Sequence, residues 1–207
     1  IIFGIIAALR QNTWVDYGLV TLSVLGISTP SFVLAIIIST IFGYYLADYT
    51  GLKLTGSLWE LDDFGDRKLH LENLVLPSLT LALRPLAIIV QLTRSSMLDV
   101  LGQDYIRTAR AKGLLYYNII AKHALKNALN PVITAVSGWL ASLMAGAFFI
   151  EYIFNWKGLG RTTIQAVQDL DLPIVMGATV LIAFIFVVVN IVVDILYATI
   201  DPRVRLR

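Results

Sequence analysis

Long apolar runs separated by short polar intervals set the pattern of this chain. From residue 18 to 46 the run is almost unbroken, long enough to cross the roughly 30 Å hydrocarbon core of a bilayer with room for tilt. Runs at 74–93, 131–152 and 174–200 predict three more spans, and residues 1–9 read as the end of another. The expected fold is all-α, a polytopic membrane helix bundle, because a helix satisfies its own backbone groups in lipid. Ser28-Thr29-Pro30 lies inside the first long run, where the proline frees a carbonyl and predicts a kink. Pro77, Arg84 and Pro85 make the 74–93 run a less uniform helix.

Composition agrees with this pattern. Hydrophobic residues make up 57% of the 207 positions and charged residues 14%, against about 25% charged in a soluble domain, with a mean hydropathy of +0.77. A separate soluble catalytic domain has no room. The opening Ile1-Ile2-Phe3 has no initiator Met and no basic stretch before the apolar residues, so it is expected to be the tail of an N-terminally truncated helix and not a signal peptide. Cysteine is absent, which excludes disulfide and thiol chemistry.

The net charge of +2 points to no nucleic acid, but its distribution orients the chain. The 48–72 interval is net acidic, carrying Asp48, Glu60, Asp62, Asp63, Asp66 and Glu72 against Lys53, Arg67 and Lys68. The interval between the last two spans, with Glu151 at its edge, carries Glu151, Asp169 and Asp171 against Lys157 and Arg161. By contrast, residues 94–130 hold Arg94, Arg107, Arg110, Lys112, Lys122 and Lys126 against Asp99 and Asp104. The positive-inside bias places this basic loop and the C-terminus in the cytoplasm.

Within the loop, Asp104 to Gly113 reads as a short helix, with Asp104 as N-cap and Gly113 in the left-handed position after its last turn. Arg110 and Lys112 in the last turn complement the helix dipole. Tyr105, Thr108, Ala109 and Lys112 share one side at i, i+3, i+4, i+7 spacing. That face suits a groove on another protein or, as a basic amphipathic helix, the surface of anionic lipid. A second helix from about Tyr116 to Leu129 is expected to feed the span that begins near Pro131.

The stretch Asp104-Tyr-Ile-Arg-Thr-Ala-Arg-Ala-Lys-Gly-Leu114, continuing to His123-Ala-Leu-Lys-Asn-Ala-Leu-Asn-Pro131, resembles the cytoplasmic coupling loop of binding-protein-dependent ABC importer permeases. The resemblance is to the dipeptide, oligopeptide and nickel branch. Leu25-Gly-Ile-Ser-Thr-Pro-Ser-Phe32, Glu151-Tyr-Ile-Phe-Asn-Trp-Lys-Gly-Leu-Gly160 and Asp194-Ile-Leu-Tyr-Ala-Thr-Ile-Asp-Pro-Arg203 are similar to the same branch. Phe154-Asn155-Trp156 and the Asp201-Pro202-Arg203 ending resemble the first, B-type, of its two permeases. The general family motif reads Glu-Ala-Ala, three residues, Gly, nine residues, Ile-x-Leu-Pro. Aligned on Gly113, Ala109, Gly113 and Leu125 match it, whereas Arg107, His123 and Lys126 stand where Glu, Ile and Pro are expected.

The resemblance implies that Asp104, Tyr105, Arg107, Thr108, Ala109, Arg110, Ala111, Lys112, Gly113, Leu114, His123 and Leu125 form an ATPase-coupling site. It also implies a second permease subunit, ATPase subunits, an external substrate-binding protein and a bacterial or archaeal plasma membrane. No cofactor is expected on this chain, since it carries no G-x-x-x-x-G-K-[ST] loop; ATP and Mg would sit on the partner ATPase. Di- or oligopeptides are the expected cargo, with nickel and oligosaccharides open because no metal-ligand cluster or substrate pocket is marked.

Polar residues in the spans are the remaining candidates. Arg84 lies about eleven residues into its span, where an arginine costs at least about 2.5 kcal/mol on insertion scales. It is either a translocation-path residue meeting peptide carboxylates or an interhelical ion-pair partner. Gln91, Ser28 and Thr29 either line a path or bond between helices. Depth matching suggests an Arg94 to Asp194 ion pair near the inner interface, with Asn190 assisting. An ion-coupled secondary transporter or channel is the alternative function, for which Asp194 is the one acid well inside a span. An intramembrane enzyme would need catalytic groups at depth, and His70 and His123 lie in loops.

Overall fold

The computed structural model describes residues 1–61 and 65–200; within its helices, side chains are described except at 137–138, 140–146, 194 and 196–200. The chain opens with α1 (Ile2–Leu9) and α2 (Trp14–Ser28), then α3 (Ser31–Thr40), a π-helical segment (Ile41–Tyr45) and α4 (Ala47–Thr50). A hairpin of β1 (Trp59–Leu61) and β2 (Arg67–Leu69) precedes a 3₁₀ turn (Leu71–Leu74) and α5 (Val75–Leu101). Next come α6 (Asp104–Ala111), α7 (Tyr116–Asn118), a second π-helical segment (Ile119–Ala124) and α8 (Leu125–Ile153). The described chain ends with α9 (Leu159–Gln168) and α10 (Leu172–Ile200).

The all-α expectation holds apart from the short hairpin, but several boundaries move. The 18–46 run is two helices, because α2 stops at Ser28 and α3 restarts at Ser31 after Pro30, whose missing N–H and fixed φ end the ladder. The 74–93 run, expected to be irregular, is one helix through Pro85 to Leu101. Residues 94–101 are therefore helix and not loop. Pro131, expected at a span start, lies inside α8, which runs on from the π-helical segment. Leu71–Leu101 and Leu172–Val193 are each long and apolar enough to cross a membrane, with mean hydropathies of 1.7 and 2.8.

Two compact units divide the chain, and α5 and α8 contribute residues to both. The first unit holds Ile1–Ser28 and Arg84–Trp139. Its core joins Ala8, Met97, Ile106, Ala109, Ile119, Ile120, Ala124 and Ala128, so the short helix α6 is seated on α5 and the stem of α8. Fully burying Ile106 stabilises this seat by about 1.5–3 kcal/mol. One turn further along the same face of α5, Gly4 of α1 lies so close that a Cβ would meet Thr93 and the Val90 carbonyl at 2.6 Å.

The second unit holds Thr29–Leu83 and Leu140–Arg207, with a core of Ala35, Ile38, Leu76, Ile150 and Phe154. Its acidic interval is folded around Glu60. That carboxylate accepts the Ser57 N–H at 3.2 Å, the Asn73 amide at 3.1 Å and the Lys53 ammonium at 3.3 Å. The Ser57 N–H first, and after it the Lys53 ammonium, hold the Glu60 carboxyl below its usual range. In the interval before α10, Glu151 accepts the Gly160 N–H at 2.7 Å and the Arg161 N–H at 3.2 Å. The carboxylate thus caps α9 from the end of α8, and Asp171 caps α10 through the Ile174 N–H.

Candidate functional site

The 94–130 interval is built from α6 outward. Asp104 is not the cap expected from its residue type: Gln103, with extended backbone, takes that position and makes no side-chain bond, and Asp104 is the first helical residue. Its carboxylate instead meets Arg107 at 3.4 Å, a contact exposed on both sides and of little weight. The other end is closed as the sequence suggests. Gly113 has φ +75°, its N–H reaches the Arg110 carbonyl at 3.0 Å, and the Leu114 N–H reaches the Ala109 carbonyl at 3.3 Å. This pair of bonds is a Schellman motif, and it turns the chain back toward α7.

Tyr105, Thr108, Ala109, Lys112, Leu114 and His123 then line one open groove of about 330 Å³. The four residues that spacing placed on one helix side are all there. Ala109 is the floor: it is buried and also packs into the core, so it is not a presented side chain. Asn127 of α8 donates its side-chain amide to the Tyr105 hydroxyl at 3.0 Å and to the His123 carbonyl at 3.2 Å, tying two groove residues to α8. Arg107, Arg110, Ala111 and Lys112 are exposed, while Leu125 sits half-buried against the core. Beyond the groove, Leu115, Tyr116 and Tyr117 are exposed at 72%, 57% and 78%, an apolar and aromatic edge next to a basic one.

The π-helical segment Ile119–Ala124 runs behind this groove. Its i→i+5 bonding inserts one residue into the helical frame, a device found often at functional sites. Ile119, Ile120 and Ala124 are buried by it, and His123 emerges at the groove.

The remaining sequence candidates scatter. Arg94 is tied to Asp16: Nε donates to Oδ1 at 2.6 Å and Nη2 to Oδ2 at 2.7 Å. The Asn12 N–H adds a third bond at 3.0 Å, so the nearly inaccessible Asp16 is fully used. The side chain of Asp194 lies outside the described residues, and Asn190 donates to the Phe186 carbonyl of its own helix. Gln91 lines an open groove of about 470 Å³ with Val20, Ile88, Leu92, Arg94 and Ser95. Arg84 is exposed, Ser28 ends α2 in the first unit, and Thr29 belongs to the second. No group of three or more potential metal ligands occurs among the described residues.

Sequence reasoning missed Asp16, Asn127 and Glu151 as organising residues. Asp16 carried a signal, being an acid at the edge of an apolar run on the basic side of the chain. Asn127 carried none, since its partner lies twenty-two residues away on another helix.

These features define a helical membrane component that presents a seated, basic surface helix. Residues 1–206 match the binding-protein-dependent transport system inner membrane component family, and the chain belongs to it. It is 42% identical over 206 residues to the dipeptide transport system permease protein DppB of Bacillus subtilis (strain 168), covering 100% of this chain and 62% of that protein. It is 41% identical over 219 aligned residues to the dipeptide transport system permease protein DppB of Haemophilus influenzae, covering 99% of this chain and 66% of that protein. The chain thus spans less than two thirds of the length of either relative.

Proposed function

We propose that this chain is the membrane-spanning permease part of an ATP-driven, binding-protein-dependent importer of di- or oligopeptides, with the α6 groove as the dock for a separate ATPase. The carrying observation is the groove itself. A short helix clamped by Ile106 and Ala109 below and by the Tyr105 to Asn127 bond beside it is a rigid handle, and a force applied to it reaches α5 and α8 directly. Family membership and the dipeptide permease names of its relatives support the peptide cargo and the B-type assignment.

On this reading the chain crosses the membrane several times, with residues 94–130 and the C-terminus in the cytoplasm, as the charge distribution favours. A second permease, ATPase subunits and an external substrate-binding protein complete the assembly. ATP and Mg belong to the ATPase, and this chain performs no catalysis. Nucleotide-driven closure of the ATPase pair would bias a two-state helix bundle through the docked α6.

The test is a complete importer carrying Thr108→Arg with Lys112→Glu, two exposed groove residues outside the core. The permease is expected to insert normally, lose its ATPase on co-purification and lose at least about tenfold in peptide uptake. Retained ATPase and unchanged uptake would overturn the docking site.

A further inference from the structure

Along α5, Arg84, Ile88, Gln91 and Ser95 recur at i, i+4, i+7 and i+11 and so fall on one helix face within about 60°. Three of the four are polar, in a helix whose Leu71–Leu101 stretch is apolar enough to span a bilayer. Arg84 lies near the middle of that stretch, about 20 Å of helical rise from Leu71 and about 25 Å from Leu101.

The two arginines of this helix differ in one respect. Arg94 is matched oxygen for nitrogen by Asp16, whereas Arg84 is exposed and makes no hydrogen bond or ion pair among the described residues. Cations at membrane depth face protein or water and are paired. An arginine without an acid of its own among the described residues, on the helix face that leads to the open groove lined by Gln91 and Ser95, is a receptor for an anion that comes and goes.

We infer that the α5 strip of Arg84, Gln91 and Ser95 contacts cargo in transit, with the Arg84 guanidinium receiving the C-terminal carboxylate of the peptide. This rests on the peptide-importer reading above. A guanidinium fork fits a carboxylate with two parallel bonds, and Gln91, with one donor and one acceptor group, matches a peptide unit without reading its side chains. A strip of this kind would accept many sequences while requiring a free C-terminus.

The experiment compares uptake of one peptide as its free acid and as its C-terminal amide by the complete importer, with native Arg84 and with Arg84→Gln. The binding protein is the same in both, so its own preference cancels. The acid-to-amide ratio is expected to fall by about tenfold in Arg84→Gln and to be partly restored in Arg84→Lys. An unchanged ratio overturns the inference. If the native importer carries neither peptide, the peptide-importer reading fails and takes the strip with it; if it carries both and only the ratio is unmoved, the strip alone falls.

A second measurement needs no change at Arg84. These 207 residues hold no cysteine, so Ser95→Cys, in an importer whose other cysteines are replaced by serine, gives a reporter on the strip. An anionic, membrane-impermeant thiol reagent is expected to label it, and the free-acid peptide, not the amide, is expected to slow labelling. Absence of labelling, or labelling that the acid does not slow, overturns the inference. So does loss of the second permease in Arg84→Gln with labelling insensitive to peptide, which assigns Arg84 to a subunit interface.

Discussion

Asn127 holds Tyr105 by its hydroxyl, at 3.0 Å, across the gap between the stem of α8 and the surface helix α6. The bond joins two elements that otherwise meet through small apolar contacts, and Tyr105 remains 42% exposed. Tyr105→Phe keeps the ring and removes only the bond. It is expected to cost about 0.5–1 kcal/mol and to speed amide exchange across α6, with little change elsewhere, as hydrogen-exchange mass spectrometry would show.

Gly113 closes α6 in a left-handed conformation with open space around its Cα. Substitution there meets no clash, only backbone strain. Gly113→Ala is expected to destabilise the loop by about 1 kcal/mol, Gly113→Val by more and Gly113→Asn by less. ATPase retention on co-purification should follow the order Gly, Asn, Ala, Val.

Breaking the Asp16 to Arg94 pair should be among the costlier single changes in the first unit. Asp16→Leu leaves a part-buried guanidinium without its carboxylate, at about 3 kcal/mol, a figure kept low because a quarter of the Arg94 side chain stays accessible. Asp16→Leu with Arg94→Leu removes both charges and is expected to recover much of the thermal stability in detergent. A double mutant as unstable as the single one would show that the pair does more than neutralise itself.

The folded segment around Glu60 should be acid-labile. Its carboxyl titrates lower in the fold than in the unfolded chain, so its contribution is present above the unfolded value and is lost as pH falls through the folded one. Loosening around Ser57, Glu60 and Asn73 is therefore expected below about pH 4, read as faster exchange at Ser57 and His70, and Glu60→Gln should abolish that pH dependence.

Glu151 caps α9 from outside its own helix, with the two N–H groups it accepts as the measure of its work. Glu151→Ala is expected to fray the start of α9, at about 1 kcal/mol, and to accelerate tryptic cleavage after Lys157 several-fold.

Much of the fold was legible because its signals are local. The apolar run at 174–200 announces α10, Gly113 announces the end of α6, and the i, i+3, i+4, i+7 spacing puts Tyr105, Thr108, Ala109 and Lys112 on one side, where they line the groove. What was hidden depends on distant partners. The stretch that forms α9 reads as loop, with two glycines at its start and a capping carboxylate supplied by the preceding helix. Asp16 reaches Arg94 from seventy-eight residues away through tertiary packing, which depth along a helix does not reveal. Apolar composition from 18 to 46 cannot distinguish one bent helix from two, and Pro30 ends the ladder where only a kink was expected.

The underwound stretch at Ile119–Ala124 acts as a shim in the stem behind α6. One surplus residue displaces every face upstream of it by about 100° relative to the pattern carried along α8. Ala124 and Ala128 therefore point to the core while Tyr116 and Tyr117 are swung outward, beside the groove. Deleting a single residue within the shim would leave the stem helical and the apolar count nearly unchanged, yet would turn the aromatic edge away from whatever α6 is built to meet.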